Sequence, residues 1–159
     1  MRGVNASPGA VLDLCFALLD DARITPYYFY LCDLIPRGEH WRTTLGAAQQ
    51  IQEQIMGYLS GFATPRFVCD VPYVGKRWVH QVKTYDRIRG ISQWSKNYRT
   101  PLDDHRGDPM EDLYPYFDPV AQLPPDGQAY WTTKAPRGRI IPLREMTSGL
   151  PDHDAGLRG

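Results

Sequence analysis

Cysteine is scarce in this chain. There are three in 159 residues, Cys15, Cys32 and Cys69, an odd number at wide spacing, so neither a disulfide framework nor a C-x-x-C metal knuckle can be built. They read as reduced core residues, because a free cysteine packs as a small hydrophobe. The four histidines, His40, His80, His105 and His153, are as scattered, and the sequence offers no metal site of its own. Long apolar runs are missing as well: nothing approaches the ~20 residues of a membrane span, and MRGVNASPG at the start lacks the charged-then-apolar opening of a secretory signal. Excess charge is the third absence. Eighteen basic against 18 acidic residues leave no general attraction to nucleic acid or anionic membrane. These absences point to a soluble, cytoplasmic globular unit, and 42% hydrophobic residues suffice for one core.

What is present has a clear order. Ser7 followed by Pro8 opens a helix, and Val11, Cys15, Leu18, Leu19 and Ala22 recur at helical spacing, which predicts an amphipathic helix over 8–22. TPYYFYLCD, 25–33, is nearly continuous in its apolarity and reads as a strand buried on both faces. Thr44 caps a second helical pattern through Leu45, Ala48, Ile51, Ile55 and Leu59, stopping near Gly57 to Gly61. RFVCD, 66–70, reads as a second short buried strand. Helix and strand in alternation imply βαβ units and a parallel sheet whose ligands sit at the carboxyl ends of the strands, where Asp33 and Asp70 fall. From 78 the pattern alternates around the Asp86–Gly90 turn, predicting an antiparallel hairpin appended to that sheet. Nine of the 14 prolines follow residue 100, which predicts a wrapping tail over 101–159, with 145–159 disordered.

The stretch VCDVPYVGK, 68–76, concentrates the chemistry. A valine-flanked strand ends in Asp70, and Pro72 and Gly75 make a turn that presents one amine, Lys76. Taken alone, each aspartate reads equally as a turn or cap residue, and the lysine as solvated surface. Spacing leaves the function open.

A string of motifs narrows it. RGVN at the start, PYYFYLCD at 26–33, GEHWRT at 38–43, SGFATPRFVCD at 60–70, the PYVGK turn and WVHQVKTYDRIRGISQW resemble, in that order, the C-terminal part of the lysine 2,3-aminomutase family, radical isomerases dependent on S-adenosylmethionine and pyridoxal phosphate (PLP). The likeness covers about residues 2 to 100. It implies the last units of a partial (β/α) radical-SAM barrel over 1–76, a C-terminal hairpin over 77–100, and the tail beyond. It also implies that Lys76 is the lysine that holds PLP, with a pKa lowered by desolvation at the strand end. Tyr30 matches a tyrosine beside the cofactor. Asp33 and Asp70 match the acids that clamp the distal ammonium of a basic substrate, with lysine expected ahead of arginine. Tyr73 and Val74 stand where the family carries glycines, and the turn before Lys76 is one residue shorter.

The family's C-x3-C-x2-C motif, which holds a 4Fe–4S cluster for S-adenosylmethionine, has no counterpart in this sequence. The chain therefore resembles a C-terminal piece of a longer reading frame, expected to do no mutase chemistry alone and to self-associate as a homo-oligomer or pair with an N-terminal half. Two other readings stay open: a non-catalytic remnant or split subunit that supplies these residues to a separate chain, and a plain PLP-binding protein.

Overall fold

The computed structural model describes residues 1–96 and 113–134; the disorder expected of 145–159 lies outside them. Ser7 begins α1, Pro8–Asp20, by accepting a hydrogen bond from the Ala10 N–H (3.3 Å), and Pro8 fills the first turn, where an N–H has no partner to lose. The helix stops two residues short of the expected end. Beyond its cap, Arg23 has a φ of 56°, a left-handed conformation that cannot continue an α-helix. Thr44 caps α2, Leu45–Ile55, in the same way, its Oγ1 accepting from the Ala47 N–H (3.1 Å), and Gly57 follows with a φ of 90°.

Three strands form the first sheet. The edge strand β1, Tyr28–Tyr30, runs parallel to the central β2, Arg66–Val71, which pairs antiparallel with β3, Gly75–Trp78. Two corrections to the sequence reading follow. The strand expected over 25–33 pairs over three residues and is not buried on both faces: Phe29 turns inward and stacks on Phe67, with ring centroids 5.2 Å apart, while Tyr30 remains 48% exposed. Lys76 is not presented by a turn but lies within β3, opposite Asp70 in the register. The turn itself is Pro72–Val74, closed by the Val74 N–H donating to the Val71 carbonyl at 3.0 Å.

Tyr73 sits in that turn with a φ of 65° and 77% exposure. A tyrosine there carries a steric cost that glycine escapes. Tyr73→Gly is expected to stabilise the fold by about 0.5 to 1 kcal/mol, the αL penalty less the added entropy of an unfolded glycine. A urea midpoint that stays put or falls would contradict this.

The second sheet is antiparallel, ordered β4, Thr84–Asp86, then β5, Ile91–Trp94, then β6, Tyr114–Phe117. The turn at 86–90 forms as expected, with Asp86 Oδ1 accepting from the N–H groups of Ile88 (3.0 Å) and Arg89 (2.9 Å) and Gly90 at a φ of 67°. The hairpin does not extend the first sheet, however; it pairs with β6 instead. Helix α3, Pro125–Lys134, then covers β5 and β6: Trp131 packs edge-on to Phe117 at 5.8 Å and its Nε1 donates to the Arg89 carbonyl at 2.8 Å.

One core joins the sheets. Val11 and Cys15 of α1, Leu45 and Ile55 of α2, Cys69 and Val71 of β2, and Trp94 and Tyr116 of the second sheet form a continuous buried cluster. Helix α2 is also tied to the first sheet through side chains that complete backbone pairing. Gln52 Oε1 accepts from the Phe67 N–H and Gln49 Nε2 donates to the Val79 carbonyl, both at 2.8 Å. The architecture is mixed α/β, two small sheets with three helices.

Candidate functional site

Side chains alternate across a strand, so the pairing of β1, β2 and β3 sorts the first sheet into two faces. Phe29, Phe67, Cys69, Val71 and Arg77 turn toward the core. The opposite face carries Tyr28 and Tyr30 from β1, Arg66, Val68 and Asp70 from β2, and Lys76 and Trp78 from β3; Val68 is buried, Tyr28 half-buried and the others exposed. Three of the four expected site residues therefore share one surface. Lys76 Nζ lies over the Tyr30 ring, 4.8 Å from its centroid, and 5.6 Å from the Tyr28 centroid.

The electrostatics reverse one expectation. The Lys76 pKa is raised, not lowered: hydrogen bonding with the Tyr30 hydroxyl is the largest cause, and the charges of Tyr30, Asp70 and Tyr28 add to it. Desolvation pulls the other way, but this amine is exposed, so the loss of water that would favour the neutral form is slight.

Asp33, the fourth residue, lies three positions beyond β1 at the same end of the parallel pair as Asp70. Its carboxylate is exposed, and its backbone carbonyl accepts from the Ile35 N–H at 2.8 Å. Among the described residues the structure brings it into no ion pair with Lys76. Tyr28 was missed in the sequence, where its period-2 relation to Tyr30 is hidden because tyrosine counts as apolar within PYYFY.

A second group, also missed, lies behind the sheets. Asp118, just past β6, accepts from the Leu45 N–H at the start of α2 (2.8 Å) and from the Tyr85 hydroxyl (2.5 Å). The Tyr85 oxygen in turn accepts from the Gly46 N–H at 3.0 Å. Buried Arg42 donates to the Phe117 carbonyl, lies 5.3 Å from the Tyr116 ring centroid, and accepts at its own carbonyl from Gln122 (2.6 Å). Arg87 reaches Gln49 Oε1 at 2.9 Å. Burial raises the Asp118 pKa against the lowering effect of its hydrogen bonds and of Arg42 and Arg87. Asp118 and Arg42 lie buried within this network, while Arg87 at its edge is exposed, and its bonds tie α2 to the second sheet.

The cysteines do not fit an iron–sulfur cluster. Cys15 and Cys69 lie fully buried in the core, where loss of water raises both thiols, Cys69 up to about 12, and opposes the thiolates a cluster requires. Cys32, half-buried rather than in the core, directs its Sγ to the Trp41 carbonyl at 3.6 Å. No helix among the described residues is long and apolar enough to cross a membrane.

The chain is thus a mixed α/β protein with an amine, an acid and two tyrosine rings on one open sheet face. No protein-family model matches it. Individual proteins do: it is 39% identical over 72 residues to the L-lysine 2,3-aminomutase of Methanococcus maripaludis, covering 45% of this chain and 16% of that enzyme. The Clostridium subterminale L-lysine 2,3-aminomutase is likewise 39% identical over 72 residues, 45% of this chain and 17% of the enzyme. A putative L-lysine 2,3-aminomutase of Aquifex aeolicus is 33% identical over 99 residues, 62% of this chain and 26% of that protein. Over the matched stretch this chain is lysine 2,3-aminomutase-like. That stretch spans about a sixth to a quarter of the relatives' length.

Proposed function

We propose that this chain carries the PLP-holding and substrate-recognising portion of an aminomutase acting on a basic amino acid, an isomerase, and that its first sheet is part of a (β/α) barrel wall whose lumen side is the Tyr30–Asp70–Lys76 face. The observation that carries the reading is the placement of those three residues on one face at the carboxyl end of a parallel strand pair, the face turned away from α1 and α2. Ligands of parallel α/β sheets bind at that end. The L-lysine 2,3-aminomutases to which the chain is similar add the substrate class.

The residues fit PLP at its aldehyde and its ring. Lys76 offers an exposed primary amine, the nucleophile an aldehyde needs, and the neighbouring Tyr30 ring offers a face for a heteroaromatic ring. When bound, PLP supplies an electron sink for chemistry at the carbons of an amino acid. The chain's own part is to bind and orient. Lys76 holds the aldehyde end, Tyr30 borders the amine and the ring, and Asp70 and Asp33 receive a substrate ammonium. The cysteines' surroundings do not fit the iron–sulfur cluster that the family resemblance implies.

Lysine turnover by the full-length gene product, supplied with PLP and S-adenosylmethionine, tests the reading. Asp33→Asn and Asp70→Asn are each expected to lower kcat/KM for lysine by an amount equivalent to about 2 to 5 kcal/mol, because a half-paired ammonium is left in the site. Unchanged turnover in both variants, or glutamate as the better substrate, would remove the clamp.

A further inference from the structure

Tyr28 lies on the Lys76 face but has no part in the assignment above. It and Tyr30 stand nearly perpendicular, at 82° with centroids 5.9 Å apart, and Lys76 Nζ lies over both rings. Tyr28 is fixed on its other side, its ring 4.0 Å from that of Tyr27 and its hydroxyl donating to the Tyr27 oxygen at 3.2 Å. We propose that Tyr28 is a positioning residue for the Lys76 amine: with Tyr30 it forms a two-ring cradle that holds the amine as an ammonium until it is drawn off to react. The part played toward PLP rests on the function proposed above; the cradle does not.

Three features of the face support it. Aromatic rings attract a cation through their negative faces and give a neutral amine nothing comparable, so the cradle discriminates between the two protonation states. Asp70, opposite Lys76 in the register, adds attraction for the ammonium, while Arg66, opposite Tyr28, carries a like charge at the other end of the face. The raised pKa of Lys76, caused chiefly by the Tyr30 hydroxyl with Asp70 contributing, agrees in sign with a face that favours the ammonium. The amine therefore rests in its unreactive form, and the reaction must first draw it out.

Competitive acetylation with acetic anhydride from pH 7 to 11, with the Lys76 peptide quantified by mass spectrometry, reads this without any cofactor. Tyr28→Leu, which removes the ring, is expected to acetylate at Lys76 about twofold to fivefold faster at pH 8 and to titrate at lower pH. Tyr28→Phe keeps the ring and should follow the wild type, with far-UV circular dichroism unchanged in both. The hydrogen bond from the Tyr28 hydroxyl to Tyr27 is lost in both variants, so it cannot produce a difference between them. Equal behaviour of the two variants, or slower or unchanged acetylation in Tyr28→Leu, would overturn the proposal. If acetylation responds as expected while PLP never labels Lys76 in the wild type, the cradle stands and the proposed function falls.

Discussion

Borohydride reduction in the presence of PLP, followed by peptide mapping, is expected to place the label on Lys76, and Lys76→Arg is expected to reduce it to background. Arginine keeps the positive charge, and its planar cation stacks on tyrosine as well as an ammonium does, so the contacts with Tyr28 and Tyr30 persist. What disappears is a nitrogen able to lose its proton near neutral pH and attack an aldehyde. Because the Lys76 side chain is exposed, the substitution should leave stability within about 0.5 kcal/mol of the wild type, which separates lost chemistry from lost fold. The pH dependence has a definite sign. Neutral amine becomes more abundant as pH rises toward a pKa that is itself raised, so labelling should still be climbing above pH 9. Label on Lys83 or Lys96 with Lys76 bare would end the assignment.

How far the sequence could be read depended on how local each feature is. Both long helices were legible from their caps, Ser7 with Pro8 and Thr44, because capping is settled within a few residues. The 86–90 turn was legible for the same reason. The β2–β3 hairpin was not: Pro72 and Gly75 announce a turn, but nothing nearby says that Gly75–Trp78 folds back onto β2 and places Lys76 across from Asp70. The lowered lysine pKa failed because it assumed burial, and burial is decided by what covers the face. The resemblance pointed to Lys76, Tyr30 and Asp70, which the structure gathers on one surface, and to Asp33, which lies at the same end with no ion pair to Lys76 among the described residues. The least legible feature was the Asp118 network. Asp118 meets Leu45 and Tyr85 across 73 and 33 residues, and the proline-rich context of YPYFDP gave no periodic signal for a strand that closes the second sheet.

That network carries the largest stability effect expected in the chain. Asp118→Ala should destabilise by about 3 to 5 kcal/mol, since it strips the Leu45 N–H and the Tyr85 hydroxyl of their buried acceptor and leaves the Arg42 and Arg87 charges without a nearby anion. Asp118→Asn should cost far less, about 1 kcal/mol, because its amide oxygen can take the Leu45 N–H and its NH2 can face the Tyr85 oxygen. The two variants together separate the loss of an acceptor from the loss of a charge. Burial raises the folded-state pKa of Asp118 above the ordinary carboxylate value of 3.8, so the fold binds this proton more tightly than the unfolded chain does. Its contribution is therefore fully present below pH 3.8 and lost as pH rises through the raised folded pKa. Relative to Asp118→Asn, which has no proton to lose, the wild type should be most stable at the acid end and lose ground as pH climbs from there toward neutrality. Chemical denaturation of both proteins at a series of pH values measures the difference directly. A gap that widens in the wild type's favour with rising pH would show that Arg42, Arg87 and the hydrogen bonds outweigh burial, and that the carboxylate is held in its charged form.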